Sequence, residues 1–431
     1  MDSFGRVAVV GAGWAGLACA VELAAADTPV TLFEAGRQVG GRARSVDLDG
    51  YRLDNGQHIL VGAYRETLRL MRVVGENPDV VLQRLPLRVD FPGSVPPFRL
   101  ALPLLPAPWH LAVGLLASRG ATLREKLSAA RFMQRLKRQR YRLPRDITVA
   151  AWLDREAQHG AIRRHLWEPL CLAALNTAPQ HASAQIFANV LRDSLGGDRD
   201  ATDLLLARTD LGHLFPEHAV RFIADRGGEI RLSSRISAFE RDGNGWQIGA
   251  EHFDHVVLAV GPYSLPPLLI RRPAHEPLLH QLADYSYEPI GTAYLAYPED
   301  LRLAFPMLGL PGPTGQWVFD RGALDGTDGV MAFVLSGEGD WDTLEDEELA
   351  QRLHAELTAA IGPLPSPHWY RVIRERRATF SCRPGLQRPG PETAERGLWL
   401  AGDYTCAEYP ATLEGAVRSG VAAARGILSG R

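Results

Sequence analysis

The stretch from Arg6 to Ala35, RVAVVGAGWAGLACAVELAAADTPVTLFEA, constrains the fold more than any other part of this 431-residue chain. Val7 to Val10 is a short apolar run, the pattern of a strand buried on both faces. Gly11, Gly13 and Gly16 follow as G-x-G-x-x-G. Ala15 to Ala26 is rich in Ala and Leu and reads as a helix, and Val30 to Phe33 reads as a second strand ending at Glu34. The spacing is that of a βαβ unit. Gly11 permits a tight turn, Gly13 lets backbone approach a diphosphate, and Gly16 lets the helix pack on the strand. Ala12, Trp14 and Ala15 complete the turn, so the helix N-terminus faces the phosphates. Glu34, followed by Ala35, stands where a carboxylate accepts hydrogen bonds from a ribose. A dinucleotide site is the expectation.

Two further segments bear on which dinucleotide. GGRARS, Gly40 to Ser45, supplies a second glycine pair, and Arg42 and Arg44 offer charge against a diphosphate. At the other end, Leu398 to Ala401 reads as a strand closed by Gly402 and Asp403, and Thr412 to Leu428 reads as a helix. Gly415, Ala416, Ser419 and Gly420 give that helix a small-residue face. Such a face admits a flat ring or a ribityl chain, and it also permits close helix packing. An Asp at a strand end can hold sugar hydroxyls. Between the two ends, Val256 to Val260 reads as another strand, preceded by the hairpin-like IRLSSRISAFERDGNGWQIG.

Glu34, Gly40-Gly41 and Arg42 together resemble the FAD-binding start of the flavin amine oxidase and phytoene desaturase superfamily, and the closing segment resembles its C-terminal flavin motif. The resemblance implies FAD as cofactor. It carries FAD contacts onto Gly41, Arg42, Gly402, Asp403, Thr412, Leu413 and Ala416, and places the backbone of Ile236 against the adenine. The implied fold is α/β: a Rossmann-like FAD-binding domain of glutathione-reductase or amine-oxidase type, built from 1–75, 215–270 and 370–431. Residues 76–214 and 271–369 are left for a discontinuous α+β substrate lobe.

Composition removes several other classes. A net charge of -3 gives no general attraction to nucleic acid. The four cysteines, Cys19, Cys171, Cys382 and Cys406, lie far apart without a C-x-x-C spacing, so neither a disulfide framework nor a metal site is expected. The opening residues lack a basic region followed by an apolar run, which argues against a signal peptide and for a cytoplasmic protein.

One segment is out of character. FRLALPLLPAPWHLAVGLLASRG, Phe98 to Gly120, is nearly uncharged and Leu-rich. A membrane-crossing helix needs about 20 apolar residues, and Pro103, Pro106 and Pro108 break the first half of this one. Ser118 to Arg145 then carries ten Lys or Arg against Glu125 alone, with Leu123, Leu127, Ala130, Met133 and Leu136 able to share a helical face. An apolar piece beside a cationic amphipathic helix suits a peripheral contact with the inner face of a membrane. We therefore read 98–145 as an apolar lip through which a lipid enters; the alternative is a core segment with a solvated basic face.

LDNGQHILVGAYRETLRLMRVVG (Leu53 to Gly75), LWEPLCLAALNTAPQHASAQIFANVLRDSL (Leu166 to Leu195) and the closing YPATLEGAVRSG narrow the resemblance. Together they resemble the squalene-associated FAD-dependent desaturases, the hydroxysqualene dehydroxylases of squalene and hopanoid synthesis. This implies an oxidoreductase in which hydroxysqualene, an isoprenoid lipid, loses its hydroxyl to a proton and gains hydride from reduced FAD. It also sets Gly56, Gln57 and His58 beside the flavin. His58, Glu408 and Tyr409 are the candidate proton donors, and Asn176 and Gln185 either hold the hydroxyl or cap helices. The chain carries no second G-x-G-x-x-G for NADPH, so the electron donor is an unidentified external reductant or partner protein. No feature specifies an oligomer. Three rivals share the motifs: a carotenoid-type desaturase or isomerase, an amine oxidase, and a non-catalytic flavoprotein. The only lysines, Lys126 and Lys137, both fall in the basic helix, far from where an amine oxidase often sets one.

Overall fold

The computed structural model describes residues 5–48 and 50–430. Residues 1–4 and 431, which the domain and leader readings include, lie outside the described residues.

The chain begins as its glycines dictate. Strand β1 (Val7–Val10) is wholly buried, helix α1 (Trp14–Ala25) follows the glycine turn, and strand β2 (Val30–Phe33) is again wholly buried. A three-stranded sheet from Ile59–Val61, Leu82–Leu85 and Leu204–Ala207 leads into the second lobe. There the hairpin Arg88–Phe91/Phe98–Ala101 precedes the short helix α2 (Trp109–Ala117) and the longer α3 (Leu123–Arg138). Thr122 and Glu125 close a capping box on α3. A π-helical turn, Arg163–Trp167, runs into Glu168–Leu175, and α4 (Ala184–Leu195) packs beside it.

The chain then returns. Strands β3 (Glu229–Arg231) and β4 (His255–Leu258) join the first sheet. Strands β5 (Tyr287–Ala296), β6 (Val330–Ser336) and β7 (Trp369–Phe380) build an antiparallel sheet with Met307–Gly309 and Trp317–Asp320. Strand β8 (Leu398–Leu400) and helix α5 (Leu413–Ser429) end the fold. The first sheet is parallel throughout, in the order β3-β2-β1-β4-β8. Its strands come from three separate parts of the chain. The sequence reading grouped residues from 370 onward with this sheet. The structure places β7 elsewhere: it pairs with β5 in the antiparallel sheet, so that sheet extends to Phe380.

The pleat sorts the antiparallel sheet into two faces. Val318, Met331, Phe333 and Leu335 point to the helix Asp346–Ile361, where Leu349, Leu353 and Leu357 cover them. Their neighbours Trp317, Phe319, Val334 and Ser336 point the other way, into a cavity.

Two expectations about helices change. Two of the small residues of α5, Ser419 and Gly420, serve packing, while Ala416 lines the cavity. A Cβ on Gly420 would lie 2.0 Å from the backbone oxygen of Ala15, so only glycine lets α5 press on α1. Ser419 Oγ accepts from Gly402 N (2.8 Å) and donates to Ala416 O. In α3 the buried face is Ala129, Phe132 and Leu136. Leu123, Leu127 and Ala130 face solvent, so the five residues read as one stripe do not share an environment.

Candidate functional site

The first sheet fixes one wall of a cavity of about 880 Å³ at the C-terminal ends of its parallel strands, where open α/β sheets place ligands. Gly11, at φ +109°, turns the chain so that the N-terminus of α1 opens into it. That N-terminus begins at Gly13, carries no side-chain cap and has no acidic residue in its first turn. It is therefore free to meet an anion. Gly13, Trp14 and Ala15 line the cavity. Ala12 and Gly16 do not: Ala12 N donates to Glu34 Oε2 (2.8 Å), and Gly16 sits where a Cβ would lie 1.9 Å from Gly11 O. Gly40 N bonds Ala12 O, which lays the second glycine pair on the first and leaves Gly41 at the cavity wall.

Glu34 and Ala35 line the ribose end. Ser234 N bonds Glu34 O (2.7 Å), and this brings the segment after β3, with Ile236, to the same wall. Gly402, Asp403, Thr412, Leu413 and Ala416 line the far end of the groove. Gly56, Gln57 and His58 lie between, held by a buried cluster. In that cluster Tyr294 donates to Asp54 O (2.8 Å), and Arg321 reaches both Asp54 (3.4 Å) and Gln57 Oε1 (3.0 Å).

Two charges at the cavity wall have protein partners. Arg42 donates through Nη2 to both carboxylate oxygens of Asp403 (3.0 and 2.9 Å) and through Nη1 to Ala378 O (2.7 Å). Arg44 is turned back on Gly41 O. Both guanidinium groups thus bind protein, and the carboxylate of Asp403 is occupied by Arg42 and by Tyr404 N. The pair positions the glycine loop against the end of β8. The uncapped N-terminus of α1 is a further positive end at the same groove.

The three acid candidates separate. Glu408 lies outside the cavity: its side chain is 71% exposed and pairs with Arg192. His58 lines the cavity, but Gly56 O lies 2.8 Å from its Nδ1 and must accept a hydrogen from it. Burial pulls the His58 pKa below its ordinary value, against the Gly56 bond and the Asp54 charge. The neutral ring is thereby favoured, with its hydrogen on Nδ1. Tyr409 is nearly buried at the wall, and its phenol donates to Asp193 Oδ2. Burial and that bond push its pKa well above the phenol range.

Asn176, which lines the cavity, and Gln185 are both held by protein partners. Asn176, in the left-handed conformation at a helix end, bonds Pro289 O, Thr379 Oγ1 and Gly337 N. Gln185 ties Leu143 N and Tyr141 O to Asn189. The remainder of the cavity wall is mainly apolar, from Leu87, Val89, Leu166, Leu170, Trp317 and Phe319. His165, on the π-helical turn, stands there between Phe91 and Phe98 (4.9 and 5.2 Å between ring centres). Sequence reasoning missed His165 and Asp193. A lone carboxylate in the apolar FANVLRDSL was the available signal for the latter.

If the Arg42–Asp403 pair positions the groove, Asp403→Asn weakens FAD binding by about tenfold or more, as loss of a charge-assisted bond should. Flavin fluorescence during titration of the apoprotein measures it. Unchanged affinity would contradict the positioning role.

A family model for flavin-containing amine oxidoreductases matches residues 14–428. The hydroxysqualene dehydroxylase of Rhodopseudomonas palustris is 30% identical, and that of Sinorhizobium fredii 28%, each alignment covering 98% of both chains. Among solved structures, a triple mutant of putrescine oxidase superposes with a TM-score of 0.77 at 18% identity, over 99% of each chain. The uncapped helix opening on a glycine groove fits the cofactor of that family, and the match spans nearly all of the sequence: this chain belongs to the flavin-containing amine oxidoreductases and is an FAD-dependent oxidoreductase.

Proposed function

We propose that the enzyme reduces hydroxysqualene to squalene, a step of squalene and hopanoid synthesis. The observation that carries this reading is the continuity of the cavity. The glycine groove and an apolar lumen walled by Leu87, Val89, Leu166 and Trp317 form one space. A polyprenoid can lie in that lumen with its reacting carbon at the groove. Two relatives that align over nearly the full length of this chain bear that activity's name. An amine substrate fits poorly. Neither lysine lines the cavity, and Lys126 Nζ is held by Leu116 O and Ser118 O (2.8 and 2.6 Å).

The chemistry asks three things of the chain. An allylic alcohol ionises once its oxygen is protonated, and the cation must be kept from water. The apolar lumen does the excluding. Reduced FAD, when bound, supplies the hydride. The groove residues hold the chain and the flavin in one frame, which converts a bimolecular encounter into a positioned reaction. Electrons enter from an external donor.

The substrate arrives from a membrane, and 98–145 is the surface that meets it. No helix among the described residues is long and apolar enough to cross a bilayer. On α2, Trp109, Val113 and Leu116 are 64%, 40% and 56% exposed, one face at helical spacing; Leu123 and Leu127 on α3 are 63% and 40% exposed. Lys126 joins the two helices by its bonds to the carbonyls at the end of α2. Arg119, Arg124 and Arg131 stand exposed nearby, suited to anionic headgroups. This makes the enzyme a peripheral protein of the membrane surface.

Two tests follow. Enzyme photoreduced without oxygen and mixed with hydroxysqualene reoxidises its flavin and yields one squalene per flavin. Flavin that stays reduced contradicts the reading and turns attention to oxidised enzyme with phytoene. For the lip, Trp109→Glu with Leu116→Glu removes two apolar anchors, each contributing roughly 1.5–3 kcal/mol when buried. Sedimentation with phosphatidylglycerol–phosphatidylcholine vesicles falls at least about tenfold, while turnover of detergent-dispersed substrate persists; unchanged sedimentation refutes the lip.

A further inference from the structure

The cavity is not apolar throughout. At one place it meets a second pocket of about 290 Å³, lined by Arg65, Arg192 and Arg418. The two spaces share Ala63, Asp193 and Tyr409. Asp193 and Tyr409 therefore form a partition between a greasy lumen and an arginine-lined antechamber, whose arginines pair with acids: Arg65 with Asp198, Arg192 with Glu408 and Arg418 with Glu414. Their geometry is fixed from several sides. The Tyr409 phenol donates to Asp193 Oδ2, Arg192 Nε donates to Asp193 Oδ1 (2.6 Å), and Arg418 lies over the Tyr409 ring at 4.5 Å. Tyr409 is 9% exposed overall and the Asp193 side chain 24% exposed, so the pair touches both solvent and lumen. Tyr409 also stands one residue before Pro410, which with Ala411 and Thr412 lines the same wall up to the start of α5. Of the other acids considered, Glu408 is outside and His58 keeps its Nδ1 hydrogen on Gly56 O.

We propose that Asp193 and Tyr409 are a proton relay that receives the substrate's hydroxyl and carries the proton that releases it as water; this assignment rests on the hydroxysqualene reading above. With Asp193 ionised, the phenolic hydrogen is held on the carboxylate. When Asp193 takes a proton from the antechamber, the bond reverses. The carboxyl O–H donates to the phenol oxygen, and the phenol O–H is freed to point into the lumen. There it donates to the alcohol. The carbon–oxygen bond breaks with its electron pair going to oxygen, water leaves, and the carbon takes the hydride that reduced FAD provides. Tyr409 recovers a hydrogen from Asp193 as it gives up its own, so no phenolate forms. That matters in a site where burial makes a phenolate unfavourable. The balance is alcohol plus proton plus hydride giving hydrocarbon plus water. Asp193 ends as a carboxylate beside Arg192 and is recharged from solvent.

The test compares two leaving groups. Acetate departs without a proton, so the acetate ester of hydroxysqualene bypasses the relay. In anaerobic single turnover, Asp193→Asn and Tyr409→Phe slow the alcohol by about 100-fold or more, the size of a general-acid effect, and leave the ester close to the wild-type rate. Asp193→Glu, which keeps a carboxyl, recovers part of the alcohol rate. A second readout needs no turnover: the flavin spectrum of oxidised enzyme reports binding, and Tyr409→Phe weakens binding of hydroxysqualene several-fold but not of squalene. Alcohol rates equal to wild type overturn the relay. Equal losses on alcohol and ester, with alcohol and hydrocarbon binding changed alike, also overturn it, because they indicate a structural role. Wild-type enzyme that turns over neither compound overturns the hydroxysqualene reading itself.

Discussion

The ion pair between Arg42 and Asp403 closes the molecule. Its partners lie 361 residues apart, one in the glycine loop after β2 and the other at the end of β8. A guanidinium reaching both carboxylate oxygens is the arrangement in which such a pair has directional strength. It forms where the parallel sheet, assembled from three stretches of chain, must present a single edge to the cofactor. The close approach of α5 to α1 at Gly420 and Ala15 reinforces the same closure. So does Glu414, fully buried at the start of α5, which accepts from the backbone N–H groups of Glu66 and Thr67 and so caps the helix that begins there. The ends of the chain and the DNGQH stretch are thus fixed as one frame, and the groove inherits its shape from it.

The second lobe uses that frame differently. Its antiparallel sheet sends alternate residues to a helix and to the lumen, so one pleat builds both a core and a substrate wall. The lumen's other walls include Val89 from the hairpin at 88–101 and His165 and Leu166 from the π-helical turn, side chains that suit the proposed lipid. π-turns recur at functional sites. The lip carries a different logic, since α2 and α3 bury only part of their apolar surface. Exposed apolar stripes on joined helices, bordered by arginines, are the kind of surface that meets a bilayer or a partner protein, and the proposal above assigns the bilayer.

How much of this was legible in the sequence depended on range. The βαβ start was readable because its requirements are local: an apolar run, three glycines, an Ala-rich helix and a carboxylate at a fixed distance. The terminal strand and helix, and FAD itself, were readable by resemblance. The reading failed where a residue's role depends on a distant partner. The bond from Arg42 to Asp403 cannot be read from GGRARS alone. The stripe of Gly415, Ala416, Ser419 and Gly420 looked like a platform for a ring, yet Gly420 answers to Ala15. Asp193 was passed over inside a quoted motif because its meaning comes from Tyr409, 216 residues away. In α3, counting apolar positions cannot tell which side of the helix is covered, and Leu123 and Leu127 lie on the exposed side.

The central claim is that one cavity holds the flavin and a triterpene together, with the polar partition at Asp193 and Tyr409 beside the reacting carbon. The most direct measurement is a structure of the oxidised holoenzyme soaked with hydroxysqualene, which cannot react without a hydride. The account predicts the flavin along the groove from the N-terminus of α1 to Thr412 and Ala416, the hydrocarbon against Leu87, Val89 and Trp317, and the hydroxyl within hydrogen-bond distance of Tyr409. A triterpene bound outside this cavity, or one whose hydroxyl faces the lip, would contradict it.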